Sequence, residues 1–174
     1  LLALANQKEN RVGGAITSHI WIGGTRDNPS LGVTGEIDAG TVAGYPVTDA
    51  ALDVSLSNHV LTIDRFTGKQ GDGSFSASGT VDFNGMMDVD VTANDIALGL
   101  YTGLAGVDEP VSGTASVTAH VGGTAHRPVA DVSLSAKNGG VRGGTFDALA
   151  GEIQVRGRVV RVNQLTVHKY VDGT

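Results

Sequence analysis

Ile22-Gly23-Gly24-Thr25-Arg26-Asp27-Asn28-Pro29 returns 99 positions later as Val121-Gly122-Gly123-Thr124-Ala125-His126-Arg127-Pro128. Working outward at the same offset, Val12 matches Val111, Gly14 matches Gly113, Val33 matches Val132, Gly40 matches Gly139, and Val60 matches Val159. Aliphatic positions agree in kind: Val54 with Ile153, Leu56 with Val155, Leu61 with Val160, Ile63 with Val162, and Phe66 with Leu165. Self-similarity at a fixed period marks stacked supersecondary units that share a continuous core. The chain is therefore read as one continuous repeat, with copy one over about 12–110 and a truncated copy two over about 111–174. With no initiator Met and a second copy that stops early, it reads as a piece of a longer protein.

Between the two copies of the signature the apolar period is two, the period of strands. Ile16, Ile20 and Ile22 share a face against Thr17, His19 and Trp21; Val33 and Ile37 share one against Thr34, Glu36 and Asp38. Leu52, Val54 and Leu56 run to a turn at Asn58-His59 and return as Leu61 and Ile63. Phe75, Val81 and Phe83 alternate with Ser, Thr and Asp, and Asn84-Gly85 predicts a type I′ hairpin turn into Met87, Val89 and Val91. Copy two repeats the pattern with Val117 and Val121, then Val132 and Leu134, then Ile153 and Val155 pairing onto Val160 and Val162, with Leu165 and Val167 beyond. Gly40 to Pro46, Gly68 to Gly73 and Asn138 to Gly144 read as turns or loops. The spacing of Ile96, Leu100 and Leu104, between Asn94 or Asp95 as N-cap and Gly106 as stop, predicts one short connector helix. The fold class is all-β, a repetitive antiparallel-type sheet. Strands of about 7 residues would make it about 23 Å wide.

With 26 Gly, 5% aromatics and an apolar complement of Val, Ile, Leu and Ala, the chain favours strands and turns. Absence of Cys excludes disulfides and thiolate metal sites. A net charge of −6, with no Lys/Arg cluster, argues against a nucleic-acid surface. Ile96 to Val107 is too short to cross a bilayer as a helix. No site for a cofactor, a metal or catalysis is expected. Asp88-x-Asp90-x-Thr92-x-Asn94 has Ala93 where a calcium loop needs Gly, and its period places it along one strand face. His120 and His126 lack a nearby carboxylate in sequence, and no Ser sits in a Gly-x-Ser-x-Gly elbow.

A sheet that is apolar on one face throughout must fold over on itself, pack on a second sheet, or leave that face for something else. A trough lined by small and branched residues suits acyl chains. The order strand, Gly-Gly-Thr-x3-Pro, strand, glycine-rich turn, hairpin, Gly73-x-x-x-x-x-Gly79 strand, Asn84-Gly85, Asn94-Asp95-Ile96 connector and again Gly122-Gly123-Thr124-x3-Pro128 resembles the C-terminal region of the translocation and assembly module (TamB) family and its AsmA-like, bridge-like lipid transfer relatives. That resemblance implies a sheet folded over into an apolar-lined groove, a β-taco, in an inner-membrane-anchored periplasmic protein. It further implies phospholipid or acyl-chain transport to the outer membrane, or barrel-protein assembly with an outer-membrane barrel partner reached through other regions of the full-length chain. The alternative from the residues alone is a structural β-sandwich or β-solenoid repeat of an adhesin-like surface protein.

Overall fold

The computed structural model describes residues 13–26, 28–42, 45–100, 111–124, 126–141 and 144–169. These form ten strands: β1 (Gly13–Gly24), β2 (Pro29–Val42), β3 (Tyr45–Ser57), β4 (Val60–Gln70), β5 (Gly73–Asp82), β6 (Met86–Ala97), β7 (Val111–Thr124), β8 (Arg127–Val141), β9 (Gly144–Arg156) and β10 (Val159–His168). Each pairs antiparallel with the next, in one open ten-stranded sheet whose spatial order is the chain order. Neither a two-sheet sandwich nor a coil of parallel rungs forms among the described residues. No helix among them is long and apolar enough to cross a membrane, which says nothing of strands.

The 99-residue offset reappears in three dimensions. Tyr45–Ser57 and Gly144–Arg156 correspond at both ends, and the other three strand pairs, β1 with β7, β2 with β8 and β4 with β10, share the same order and turns. The Gly-Gly-Thr-x3-Pro signature is the turn that joins the first two strands of each copy. Gly24 and Gly123 sit at φ 84° and 82°, a left-handed conformation that a Cβ disfavours. The next residue, Thr25 or Thr124, accepts a hydrogen bond at its Oγ1 from the backbone N–H three residues on, Asn28 or Arg127, at 3.2 and 3.1 Å. Pro29 and Pro128 then lie opposite Gly24 and Gly123 in the ladder.

Several expectations are corrected. Strands run from 10 to 15 residues, so the sheet is about 33 to 50 Å wide. The added length comes from glycine-rich stretches read as turns: Gly68 to Gln70 belongs to β4, and Asn138 to Val141 to β8. Glycine is accommodated there because an aromatic ring from the next strand takes its side-chain space. A Cβ on Gly68 would collide with the Phe75 ring, and one on Gly139 with the Phe146 ring. The connector helix does not start at Asn94 or Asp95; β6 continues to Ala97, and only a 3-10 turn, Leu98–Leu100, follows. Asp95 N–H is taken by Ser116 Oγ on the neighbouring strand, at 3.0 Å, rather than by a helix cap. The remainder of the expected helix, 101–106, lies outside the described residues. Finally, the turn with both central residues at positive φ is Asn58-His59 (52° and 66°). At Asn84-Gly85 the bend instead closes through Gly85 N–H to the Asp82 carbonyl, 3.1 Å, and Asn84 N–H to Asp82 Oδ1, 2.9 Å.

Candidate functional site

The candidate site is the apolar face, and the register shows how it is assembled. Ile22, Leu31, Leu56, Leu61, Val81 and Met87 stand opposite one another in succession across β1 to β6. A parallel row runs Ile20, Val33, Val54, Ile63, Gly79, Val89, Val121, Ala130, Val155 and Val160, from one edge strand to the other. Directly opposed residues share a face, so Ile16 joins Ile37, Leu52 joins Phe66, Phe75 joins Ala93, Val91 joins Ala77, Val117 joins Leu134, and Val132 joins Ile153 and Val162. Of the residues expected to line this face, all but one lie on it; Phe83 sits in the turn after β5, 62% exposed.

Bulges keep the face in phase. Val54 lies opposite Ile63 and Asp53 opposite Arg65, which leaves Asp64 as the extra residue; Asn163 is the extra residue between Val162 and Gln164. One residue inserted into a period-two strand would turn every later side chain to the wrong face unless the pairing shifts with it. Here it shifts, so Phe66 and Leu165 stay on the face of Ile63 and Val162 although three positions beyond them. Leu31, Phe66 and Leu149 are not among the expected lining residues: Phe66 is hidden by the bulge, and the other two fall on the face by their register with Leu56 and Ala136.

No described large side chain is fully buried, and the side chains below a tenth exposed on this face include Val47, Ile96, Ala115, Ala130 and Ala136 together with one polar residue, Gln70. Central residues such as Leu52, Val89 and Val132 are half-buried. On the edge strands exposure rises, to 64% at Ile20, 81% at Ile22 and 65% at Val160. Phe66 and Phe75 form the main aromatic contact, ring centroids 5.4 Å apart and tilted 45°.

The opposite face is polar. Trp21, its one large apolar residue on β1, covers Gly32 directly across the ladder, where a Cβ would collide with the indole. Charge pairs are exposed: Lys69 Nζ to Asp49 Oδ2 at 2.9 Å and Arg65 to Glu36 at 3.9 Å. Arg156 Nη2 donates to both Asp131 oxygens at 2.9 and 3.1 Å. Asp88, Asp90, Thr92 and Asn94 lie along β6 on this face, each opposite a Ser or Thr of β5.

Register also brings together what the sequence keeps apart. His120 on β7 stands between Asp90 on β6 and Asp131 on β8. Its Nδ1 is 2.8 Å from Asp90 Oδ1 and 3.8 Å from Asp88 Oδ1. The hydrogen bond to Asp90 and the charges of Asp90, Asp88 and Asp131 hold the imidazole above the usual histidine range, against a smaller desolvation in the other direction. Asp88, Asp90 and His120 could offer one ligand atom each to a divalent ion. All three are exposed, and His120 is already engaged by Asp90, with Asp88 at the limit of ion-pair distance. The expectation that His120 has no carboxylate nearby is thus corrected; the neighbours lie on another strand, 30 and 32 positions away in the chain. Compared with family models, with curated proteins and with solved structures, the chain matches none.

Proposed function

We propose that the apolar face is a conduit for acyl chains, and that the chain is a segment of a TamB-like, inner-membrane-anchored periplasmic protein that moves phospholipid toward the outer membrane or assists barrel assembly there. The observation that supports it is the row of apolar residues, interrupted only by Gly79 on β5, that crosses all ten strands with no second layer on it among the described residues. Leaving that much apolar surface in water is unfavourable by roughly 25 cal/mol per Å², so a monomeric sheet of this kind gains from any apolar cover. In this reading the open sheet curls into the groove form, and its lining is mostly Val, Ile, Ala and Leu, with polar side chains such as Ser18 and Gln70 among them. Specificity for one headgroup would then come from elsewhere in the full-length chain, as would contact with a barrel partner.

The test is native mass spectrometry of the gently purified chain together with displacement of a fluorescent fatty acid. Co-purifying phospholipid and saturable displacement are expected. Lipid-free protein that leaves the fluorophore untouched would overturn the proposal and favour a structural repeat of an adhesin-like surface protein, in which copies of the sheet cover one another.

A further inference from the structure

One rim of the sheet carries the same pair of neighbouring turns twice, once in each copy, and the two pairs are built differently. In copy one, Asn28 at the β1–β2 turn donates from Nδ2 to Oδ1 of Asn58 in the β3–β4 turn, so side chains bridge the gap between the turns. The same positions of copy two, 99 residues on, are Arg127 and Gly157. The turns are tied there by Gly157 N–H to the Pro128 carbonyl at 2.7 Å. At Gly157, φ 63°, no atom lies within 4 Å of the place a Cβ would take. A cleft of about 510 Å³ opens between the turns, lined by His126, Arg127, Val129, Arg156, Gly157 and Arg158. The positions that match its three arginines in copy one are Asn28, Ser57 and His59. Three arginines of a chain whose net charge is −6 therefore meet at one cleft, with no carboxylate among its lining residues. Two of them are anchored by the fold. Arg127 N–H donates to Thr124 Oγ1 at 3.1 Å, the turn bond of the repeated signature. Arg156 donates to the Ala130 and Val155 carbonyls at 3.1 and 2.9 Å and to both Asp131 oxygens, which answer its charge. Among the described residues neither Arg127 nor Arg158 forms an ion pair.

From this contrast we infer that the cleft is a binding site for a phosphate dianion, free or as a phosphomonoester, and that copy two carries a site that copy one lacks. Such a group brings about −1.5 to −2 charge at pH 7 and three strong acceptor oxygens. A carboxylate is satisfied by a single guanidinium fork, but this charge and the third oxygen call for a second one. Arg127 and Arg158 supply two forks from neighbouring turns, and Gly157 leaves the room between them that the Asn58 side chain fills in copy one. Arg156, held in place by Asp131, adds a fixed wall. The cleft lies at the end of the polar face, where Arg156 stands opposite Val129. The inference therefore goes beyond the acyl-chain reading and stands whether or not the apolar face carries lipid.

The probe is inorganic phosphate, titrated into the chain at constant ionic strength against chloride and followed by amide NMR. Saturable shifts at Arg127, Gly157 and Arg158 are expected, while the turns of copy one at Asn28 and Asn58 stay still and serve as a control within the same molecule. Arg127→Gln and Arg158→Gln should each weaken phosphate binding at least about tenfold, the worth of one charge-assisted contact. Gly157→Asn gives copy two the amide that bridges copy one. It changes no charge, and Asn58 holds a similar φ of 52°, so the turn is kept while binding falls to the level of Arg127→Gln. Thermal melts matching the wild type secure all three comparisons. Vesicles of phosphatidylcholine with and without phosphatidic acid then separate the sources of the phosphate. Stronger co-sedimentation with phosphatidic acid, reversed by free phosphate, assigns the site to a lipid headgroup; binding of free phosphate without that preference assigns it to a soluble phosphate. Shifts no larger with phosphate than with chloride, equal shifts at the turns of copy one, or binding that survives the three substitutions would overturn the inference.

Discussion

At Gly123 the backbone stands at φ 82°, and a Cβ there would lie 2.5 Å from the Arg127 carbonyl oxygen. Both the conformation and the space exclude a side chain, so Gly123→Ala should lower stability by about 1 to 3 kcal/mol, read as a fall in the urea midpoint. Gly71 offers a contrast: its φ of 58° is also positive, yet no atom lies within 4 Å of the place a methyl group would take, so Gly71→Ala should cost less than Gly123→Ala in the same assay. His120 shows the other way a single residue reads out its setting. Its folded-state pKa is raised, so the stability it contributes is fully present below about pH 6.5, its ordinary value, and is lost as pH rises through the higher folded value. Between those two values, thermal melts of the wild type should therefore fall relative to those of His120→Ala, and above the higher one the two should run parallel. Proton NMR of the imidazole should give the same raised midpoint, and Asp90→Asn should lower it, because Asp90 supplies the largest contribution ahead of Asp88 and Asp131. Arg156 already occupies Asp131 and limits that third contribution.

At the level of strands and turns, the two-residue turn Asn58-His59 requires positive φ at both positions, and His59 adopts it with a Cβ that opposes it. His59→Gly should raise stability by about 1 kcal/mol while leaving the turn in place. The group that Phe83 N–H binds is the backbone carbonyl of residue 59, at 3.0 Å, which the substitution keeps. A higher urea midpoint with an unchanged slope would be the signature. The same turn shows what a sequence reveals and what it hides. Alternation assigns the faces of Ile20, Val33, Leu52 and Val89 without any structure, because a period of two is a property of one strand alone. Asn84-Gly85 is the better type I′ turn by residue type, yet Asp82 recruits Asn84 N–H through its carboxylate and draws the bend into another form. Asn94 to Ala97 carries helical caps and spacing, but pairing with β7 outweighs local preference. The bulges at Asp64 and Asn163, and the meeting of His120 with Asp90, depend on which residue faces which across a ladder. Register of that kind arises between strands and leaves no trace in either one read alone.

For the molecule as a whole, the position of a substitution within the sheet should decide its effect. Val89 is half-buried in the middle of the apolar face between Gly79 and Val121, and Leu56 lies between Leu31 and Leu61. If the face is a conduit, Val89→Asp or Leu56→Arg should leave the circular dichroism spectrum intact and abolish fatty-acid displacement, because a charge there is costly to an adjoining hydrocarbon chain. A closed core would instead unfold, with a large loss in melting temperature. Val160→Lys, on an edge strand at 65% exposure, should change stability by no more than about 0.5 kcal/mol in either case.

The chain order of the strands has a mechanical side. Every substantial contact between strands joins neighbours in sequence, and among the described residues no later segment returns to clamp an earlier one. Tension applied across the two ends therefore meets the hydrogen-bonded ladders one at a time and from the outside in. Such a sheet gives way by peeling, in a series of small extensions at modest force, and each strand re-lays itself when the load is released without waiting for a distant partner to be found.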